Sequence, residues 1–169
     1  RNDLVPVAGE DTTDAALDES VEQFLTFSLA EEHYAVDIMR VVEIKGWTPV
    51  THIPNAPPYV KGVLNLRGVI LPILDLRLRF GMEPREYSRL TVVIVLCVES
   101  AAGRRTVGIV VDGVDDVMHV QREQVKPTPS FGTAVNTEYI RGMVSLEEGM
   151  VMLLDIDRLL AEADLGGIE

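Results

Sequence analysis

Short apolar runs separated by turn-forming residues make up this chain from residue 21 onward. The runs are rich in Val, Ile and Leu and are bounded by Gly, Pro, Asn or Asp, as expected of β-strands joined by turns. Their close spacing favours an all-β sandwich or barrel. Ten strands are predicted: Phe24–Leu29, Tyr34–Val36, Val41–Ile44, Val60–Leu66, Val69–Leu74, Leu90–Val98, Thr106–Val111, Val114–Val120, Tyr139–Leu146 and Met150–Leu154.

Helical patterning is scarce. Asp75 and Asp155 each follow a predicted strand and precede a short helix-compatible stretch, so each is predicted to cap a helix. The second stretch, at about residues 155–163, is predicted to lay one face on the core. Its apolar residues recur at helical spacing: Ile156, Leu159, Leu160 and Ala163. The dipeptide Asp112-Gly113, between two strands, predicts a hairpin turn.

The chain also contains an internal repeat with an offset of about 80 residues. Tyr59–Leu66 aligns without a gap with Tyr139–Leu146, and the match continues to the aspartates Asp75 and Asp155. A weaker echo relates residues 34–44 to residues 107–117. We therefore predict two related β units packed side by side, a first barrel over about 21–83 and a second over about 90–155, because neither alone would bury a good core.

One polar segment differs between the two copies of the repeat. The first copy has Arg67-Gly68 where the second has Glu147-Glu148-Gly149. Positions that both copies share are explained by the shared fold, whereas polar positions that diverge are candidates for function. Arg67 is the leading candidate, because a long cation beside a turn glycine is expected to project from the surface.

Composition narrows the functional classes. The net charge of −12 argues against binding to a nucleic acid backbone, and the longest apolar runs are too short for a membrane helix. Residues 1–20 are acidic and poor in large apolar groups, which predicts a flexible tail. The single cysteine excludes an intrachain disulfide, so we expect a cytoplasmic protein.

No constellation of residues points to catalysis or to a cofactor. The three histidines lack metal-site spacing, and the sequence has neither a phosphate-binding glycine loop nor a nucleophile elbow. We therefore predict a protein that is not an enzyme and that holds no metal or cofactor. The remaining enzymatic hypothesis is a hydrolase that uses paired aspartates from this set: Asp37, Asp75, Asp112, Asp115, Asp116 and Asp155.

Residues 54–77, PNAPPYVKGVLNLRGVILPILDLR, carry the most specific motif of the chain. Five further segments extend it: Phe24–Leu29, Tyr34–Ile44, Thr91–Val95, Val107–Val114 and Glu138–Gly142. Over about residues 22–163 the chain resembles the CheW family, the bacterial chemotaxis coupling proteins. The resemblance implies a mainly β fold of two five-stranded SH3-like barrels on a shared apolar core, within a CheW-like domain over 21–163 that ends in a short helix.

The resemblance also implies a function. Members of this family have no catalytic activity and connect the cytoplasmic signalling tip of methyl-accepting chemoreceptors to the regulatory domain of the histidine kinase CheA. The expected location is the cytoplasmic receptor array beneath the inner membrane, without nucleic acid binding or membrane insertion. The alternative is a CheW-like regulatory domain excised from CheA itself or from a coupling-plus-receiver protein.

Carried over by position, the resemblance assigns two sets of contact residues. The receptor-binding set is Val41, Glu43, Gly62, Asn65, Arg67 and Val93, and the kinase-binding set is Ile44, Gly46 and Gly68. The valines and Ile44 have core packing as an alternative role, and the glycines have a purely conformational one. Glu43 and Arg67 carry opposite charges, so they either pair with each other or meet a receptor helix.

Overall fold

The computed structural model describes residues 21–101, 103–128, 137–147 and 149–160, and within them the chain is mainly β. All ten predicted strands are present, several of them longer by one to three residues at an end. They are β1 Val21–Leu29, β2 Glu32–Asp37, β3 Val41–Gly46, β4 Val60–Leu66, β5 Val69–Asp75, β6 Val92–Ser100, β7 Gly103–Val111, β8 Gly113–Gln121, β9 Ile140–Leu146 and β10 Gly149–Leu154.

The strands form two five-stranded sheets, each curled into a barrel. We call the sheet with the order β8-β1-β2-β10-β9 barrel A, and the sheet with the order β3-β6-β7-β5-β4 barrel B. An isolated bridge draws the two edges of each sheet together, between Lys126 and Met143 in barrel A and between Thr51 and Val63 in barrel B. The predicted pair of five-stranded barrels is confirmed.

The predicted division of the chain into a first barrel over 21–83 and a second over 90–155 does not match this strand pairing. Barrel A takes β1 and β2 from the first half and β8, β9 and β10 from the second, and barrel B combines β3 to β5 with β6 and β7. The chain crosses between the barrels after β2 and again after β7. Asp112-Gly113 is therefore a crossover, and the predicted hairpin turn there is wrong.

Apolar side chains are buried in three places. A large cluster lies between the barrels and draws on both sheets, with Phe27, Tyr34, Ile94 and Leu96 fully buried in it. Each barrel also has its own smaller interior cluster, one in barrel A and one in barrel B. Central strands are thus covered on both faces, which explains why residues 92–98 form a continuous apolar run instead of alternating with polar residues.

Each barrel has one short helix directly after a strand: α1 Leu76–Arg79 follows β5 of barrel B, and α2 Ile156–Leu160 follows β10 of barrel A. Both predicted caps are confirmed, since Asp75 accepts a hydrogen bond from the Leu78 amide and Asp155 accepts one from the Arg158 amide. Three single-turn 3₁₀ helices complete the described structure: Ile38–Arg40, Arg122–Gln124 and Thr137–Tyr139. The predicted acidic tail and residues 161–163 of the predicted helix lie outside the described residues.

Each crossover is held by an arginine–aspartate pair. At the β7–β8 crossover, Asp112 accepts two hydrogen bonds from Arg77 of α1, at 2.9 and 2.8 Å, and another from the Ala30 amide of barrel A. At the β2–β3 crossover, Arg40 donates two to Asp157 of α2, at 2.7 and 2.6 Å. Such bidentate pairs fix geometry as well as charge. Together they tie the two barrels at both points where the chain passes between them.

Candidate partner-binding surface

The Arg67-Gly68 turn joins β4 to β5 with only two residues, since Leu66 pairs directly with Val69. Arg67 has φ 52° and Gly68 has φ 88°, so both adopt the left-handed conformation of a type I′ hairpin turn. The Asn65 side chain accepts a hydrogen bond from the Gly68 amide at 2.9 Å. Asn65 and Gly68 therefore build the turn that presents Arg67.

Arg67 forms an ion pair with Glu43, which projects from the edge strand β3. The Arg67 side chain remains 70% exposed and that of Glu43 26% exposed. An exposed pair of this kind adds little to stability, about 0–1 kcal/mol, because water and salt screen it. Its main effect is positional, since it brings the β4–β5 turn against β3 at one end of barrel B.

Exposed apolar side chains flank both members of this ion pair in the sequence. Val42 and Ile44 lie on either side of Glu43 and are 55% and 44% exposed. Val69 and Ile70 follow the turn and are 53% and 66% exposed. We call these four residues, with Glu43 and Arg67, the barrel B tip. Grouped exposed apolar residues of this kind are typical of interaction sites.

Three residues of the predicted receptor-binding set lie away from this surface. Val93 is only 2% exposed and packs in the interior of barrel B, so its side chain has almost no surface available to a partner. Val41 is half-buried against the cluster between the barrels. Gly62 is buried with φ +148°, and a Cβ built on it would lie 2.1 Å from the Thr51 carbonyl oxygen. Gly62 thus allows the backbone at Thr51 to pass close to β4.

The predicted kinase-binding residues are all exposed. Ile44 and Gly46 lie on the outward-facing positions of β3, and Gly68 lies in the turn. A Cβ built on Gly46 or Gly68 would meet no atom within 4 Å. Gly68 is nevertheless constrained by its φ of +88°, whereas Gly46 has open space and no such requirement.

Sequence reasoning missed Val42, Val69 and Ile70. The signal was present, because Val42 alternates with Glu43 on an edge strand and the other two directly follow a two-residue turn. Side chains at a hairpin tip extend past the neighbouring strands: β5 pairs with β7 only from Ile73 onward. The apolar pattern alone does not distinguish the exposed Val69 and Ile70 from the buried Ile73 of the same strand.

The aspartates proposed as acid–base pairs have structural partners. Asp75 caps α1 and accepts a hydrogen bond from the Tyr87 hydroxyl. The burial of Tyr87 and this hydrogen bond both raise the pKa of Tyr87. Burial disfavours the charged form of Asp112, but the hydrogen bonds from Arg77 and the Ala30 amide outweigh it and lower the pKa of that carboxyl. A lowered pKa is the opposite of what a general acid requires.

Two further observations concern metals and membranes. Within the described ranges, His, Cys, Asp and Glu side chains nowhere gather in threes as metal ligands would. In that same part of the chain, α1 and α2 fall far short of the length of a membrane-spanning helix, and no other helix qualifies.

Comparison with known proteins identifies the fold family. Residues 23–164 match the family model of the CheW-like domain. The chain belongs to the CheW-like domain family. The chemotaxis protein CheW of Klebsiella aerogenes is 44% identical over 164 residues, which covers 96% of this chain and 96% of that protein. The chemotaxis protein CheW of Treponema pallidum is 36% identical over 156 residues, with coverage of 89% and 88%.

A solved structure agrees with these relatives. The scaffolding protein TtCheW from Thermoanaerobacter tengcongensis superposes with a TM-score of 0.74 at 30% identity, over 85% of this chain and 90% of that one. The family to which the chain belongs is thus one of chemotaxis scaffold proteins, as the sequence motif indicated.

Proposed function

We propose that this protein is a non-enzymatic chemotaxis adaptor that couples chemoreceptor signalling tips to the histidine kinase CheA in receptor arrays. The observation that carries the proposal is the barrel B tip, where an exposed ion pair lies among exposed apolar residues in a member of a scaffold family. Such a surface suits a helical partner, with apolar contacts for affinity and charge for orientation. The site of action is the cytoplasmic face of the array.

Within this proposal the two functions share one end of barrel B. Glu43 and Arg67 contact the receptor tip, and Asn65 shapes the turn that carries Arg67. Ile44, on the outward face of β3, contacts the regulatory domain of the kinase, with Gly46 leaving that edge open. Gly68 acts through the turn conformation.

The first test is Arg67→Glu, titrated against a purified chemoreceptor cytoplasmic fragment by calorimetry. If Arg67 is a binding hot spot, receptor affinity falls by about 1–3 kcal/mol while the unfolding midpoint stays unchanged. The doubly swapped variant Glu43→Arg/Arg67→Glu separates two roles. It restores affinity if the ion pair only shapes the surface, and it does not if Arg67 meets the receptor directly. Unchanged affinity of the single variant rejects this receptor surface.

The second test separates the kinase contact from the receptor contact. Ile44→Asp is expected to weaken binding to the isolated CheA regulatory domain by about 1–3 kcal/mol and to leave receptor binding intact. Leu90→Asp, the same kind of change at an exposed apolar residue outside the barrel B tip, is the matched control. Equal loss toward both partners contradicts separate surfaces.

A further inference from the structure

A cavity of about 500 Å³ lies at the β7–β8 crossover, beside the connection between α1 and β6. Ser28, Gly113 and Val114 of barrel A contribute to its lining, and most of the rest comes from residues 85–92 and the end of β7 in barrel B. Its volume is within the range typical of small-molecule sites, about 300–1,000 Å³. The cavity shares no residue with the barrel B tip, and the receptor and kinase contacts proposed above leave it unused.

Three arginines and three acids line this cavity, and the two inner acids already have partners. Asp75 is only 4% exposed and accepts a hydrogen bond from the Tyr87 hydroxyl. Asp112 accepts two hydrogen bonds from Arg77, which is the inner arginine of the set. The charges of Arg77 and Asp112 therefore balance each other within the crossover.

The other two arginines have hydrogen-bond donors to spare. Arg85 is 63% exposed, and among the described residues it donates one hydrogen bond, at 3.1 Å, to an Asp112 oxygen that Arg77 also contacts. A guanidinium has five N–H donors, so most of those of Arg85 are available. Arg89 is exposed as well, and within the described ranges it pairs with no acidic side chain. Glu86 is the one exposed acid of the lining, so the accessible groups have an excess of positive charge.

A hydroxyl group and apolar side chains lie beside these arginines. Ser88 is exposed, and its Oγ atom accepts a hydrogen bond from the Leu90 amide, which leaves the hydroxyl proton available to a ligand. Leu90 is 77% exposed although it lines the cavity, and the half-buried Val92 and Val114 provide further apolar surface. Covering these side chains would add hydrophobic free energy to the binding of an anion.

We infer that this cavity binds a small organic phosphate, with the phosphate on Arg85, Arg89 and Ser88 and an apolar body against Leu90 and Val114. A phosphate monoester has three acceptor oxygens, and arginine side chains match them with parallel, charged hydrogen bonds. A carboxylate has only two oxygens and would leave donors of this set unused. Inorganic phosphate would meet the cations but leave Leu90 uncovered.

The test is a methyl NMR titration of the full chain with phenyl phosphate, which joins a phosphate to a small apolar ring. Saturable shifts should appear at Leu90, Val92 and Val114 and be absent at Val69 and Ile70 of the barrel B tip. The two fragments of the probe are the controls. Inorganic phosphate and phenol should each bind at least about tenfold more weakly, because each makes only part of the contacts.

Charge variants test which groups hold the phosphate. Arg85→Met and Arg89→Met should each weaken phenyl phosphate binding about fivefold, and Glu86→Gln should strengthen it about threefold by removing the exposed acid. Arg104→Met is the matched control, because Arg104 is also an exposed, ion-paired arginine but lies outside the cavity, and it should leave binding unchanged. Since Arg89 pairs with no acid of the described structure, its variant keeps the test valid even if Arg85→Met disturbs the crossover.

Three outcomes overturn the inference. One is the absence of saturable shifts at Leu90 and Val114 with phenyl phosphate. Another is binding of inorganic phosphate as tight as that of phenyl phosphate, which would identify a simple surface anion site. The third is an equal loss of binding in Arg104→Met and Arg89→Met, which would identify a general effect of net charge.

Discussion

The two halves of the repeat keep the same backbone but differ in charge. The hairpins β4–β5 and β9–β10 share a buried glycine under a crossing segment, Gly62 in one and Gly142 in the other, and each leads into an aspartate-capped helix. Their polar positions have diverged, with Arg67 matched by Glu147 and Arg77 by Asp157. Backbone requirements are thus retained while side-chain chemistry is free to change.

The consequences of that divergence differ between the crossovers and the tips. At the crossovers an arginine–aspartate pair forms in both halves with the charges on opposite partners: α1 provides an arginine to Asp112, and α2 provides an aspartate to Arg40, which lies one residue beyond the position that the echo matches to Asp112. At the ends of the barrels only the residue at the Arg67 position has changed charge. Barrel B has the ion pair Glu43–Arg67, and barrel A has the acids Asp116 and Glu147 at the matching positions. A reversal on both sides preserves an interaction that holds the fold, and a reversal on one side creates a surface with unmatched charge.

The glycines offer the largest test of the shared backbone. Gly62→Ala should cost about 3 kcal/mol of unfolding free energy, since its Cβ would lie 2.1 Å from a carbonyl oxygen at φ +148°. Gly142→Ala should cost less, about 2 kcal/mol, because the nearest atom is a Val125 methyl at 2.5 Å. Gly46→Ala, with open space, is the control in urea denaturation and should change stability by less than about 0.5 kcal/mol. Equal values for all three would reject the steric account.

Double-mutant cycles should rank the three ion pairs by burial. Arg77 and Asp112 have side chains only 13% and 14% exposed, and we expect a coupling energy of about 2 kcal/mol from Arg77→Met and Asp112→Asn. Arg40 and Asp157 are 27% and 34% exposed, so about 1 kcal/mol is expected.

The pair at the barrel B tip provides the lower end of this ranking. Glu43→Gln with Arg67→Met should give a coupling energy below about 0.5 kcal/mol. Urea unfolding of all single and double variants measures the three values. A tip pair that couples as strongly as the crossover pairs would contradict the division between fold and surface.

The helix caps test the repeat at equivalent positions. Asp155→Ala should cost about 1 kcal/mol, the usual effect of losing an N-cap. Asp75→Ala should cost more, about 1.5 kcal/mol, because Asp75 is buried and its loss also leaves the Tyr87 hydroxyl without its acceptor. Asparagine at either position keeps the cap and serves as the control in thermal unfolding. A larger loss at position 155 than at position 75 would be inconsistent with this assignment.

The acid limb of the stability curve gives the smallest effect. The pKa of Asp112 is lowered in the fold, so its contribution is present above the unfolded-state pKa of about 3.9 and disappears as pH falls through the folded value. The stability difference between the wild type and Asp112→Asn should therefore shrink below about pH 4. Urea midpoints at pH 7, 5, 4 and 3 measure it, with Gly46→Ala as a variant whose offset stays constant.

Local patterns in the sequence were sufficient for much of the fold. Several strands begin or end at Gly or Asp, such as Gly46 and Gly149, and the N-caps lie at Asp75 and Asp155. The repeat is visible because both hairpins have the same backbone needs. The family motif also resides in this local information. At the candidate site, the residues expected to matter most, Glu43 and Arg67, are indeed paired and exposed.

The tertiary structure alone decided how the halves combine. Which strand lies beside which depends on two crossovers, and strand periodicity contains no information about partners distant in the chain. The resemblance alone places Val93 in the receptor-binding set, and the strand pattern offers no check on it, because a strand buried on both faces shows no alternation from which to read the orientation of a side chain. The pairs Arg77–Asp112 and Arg40–Asp157 join residues 35 and 117 positions apart, and only the folded chain brings them together.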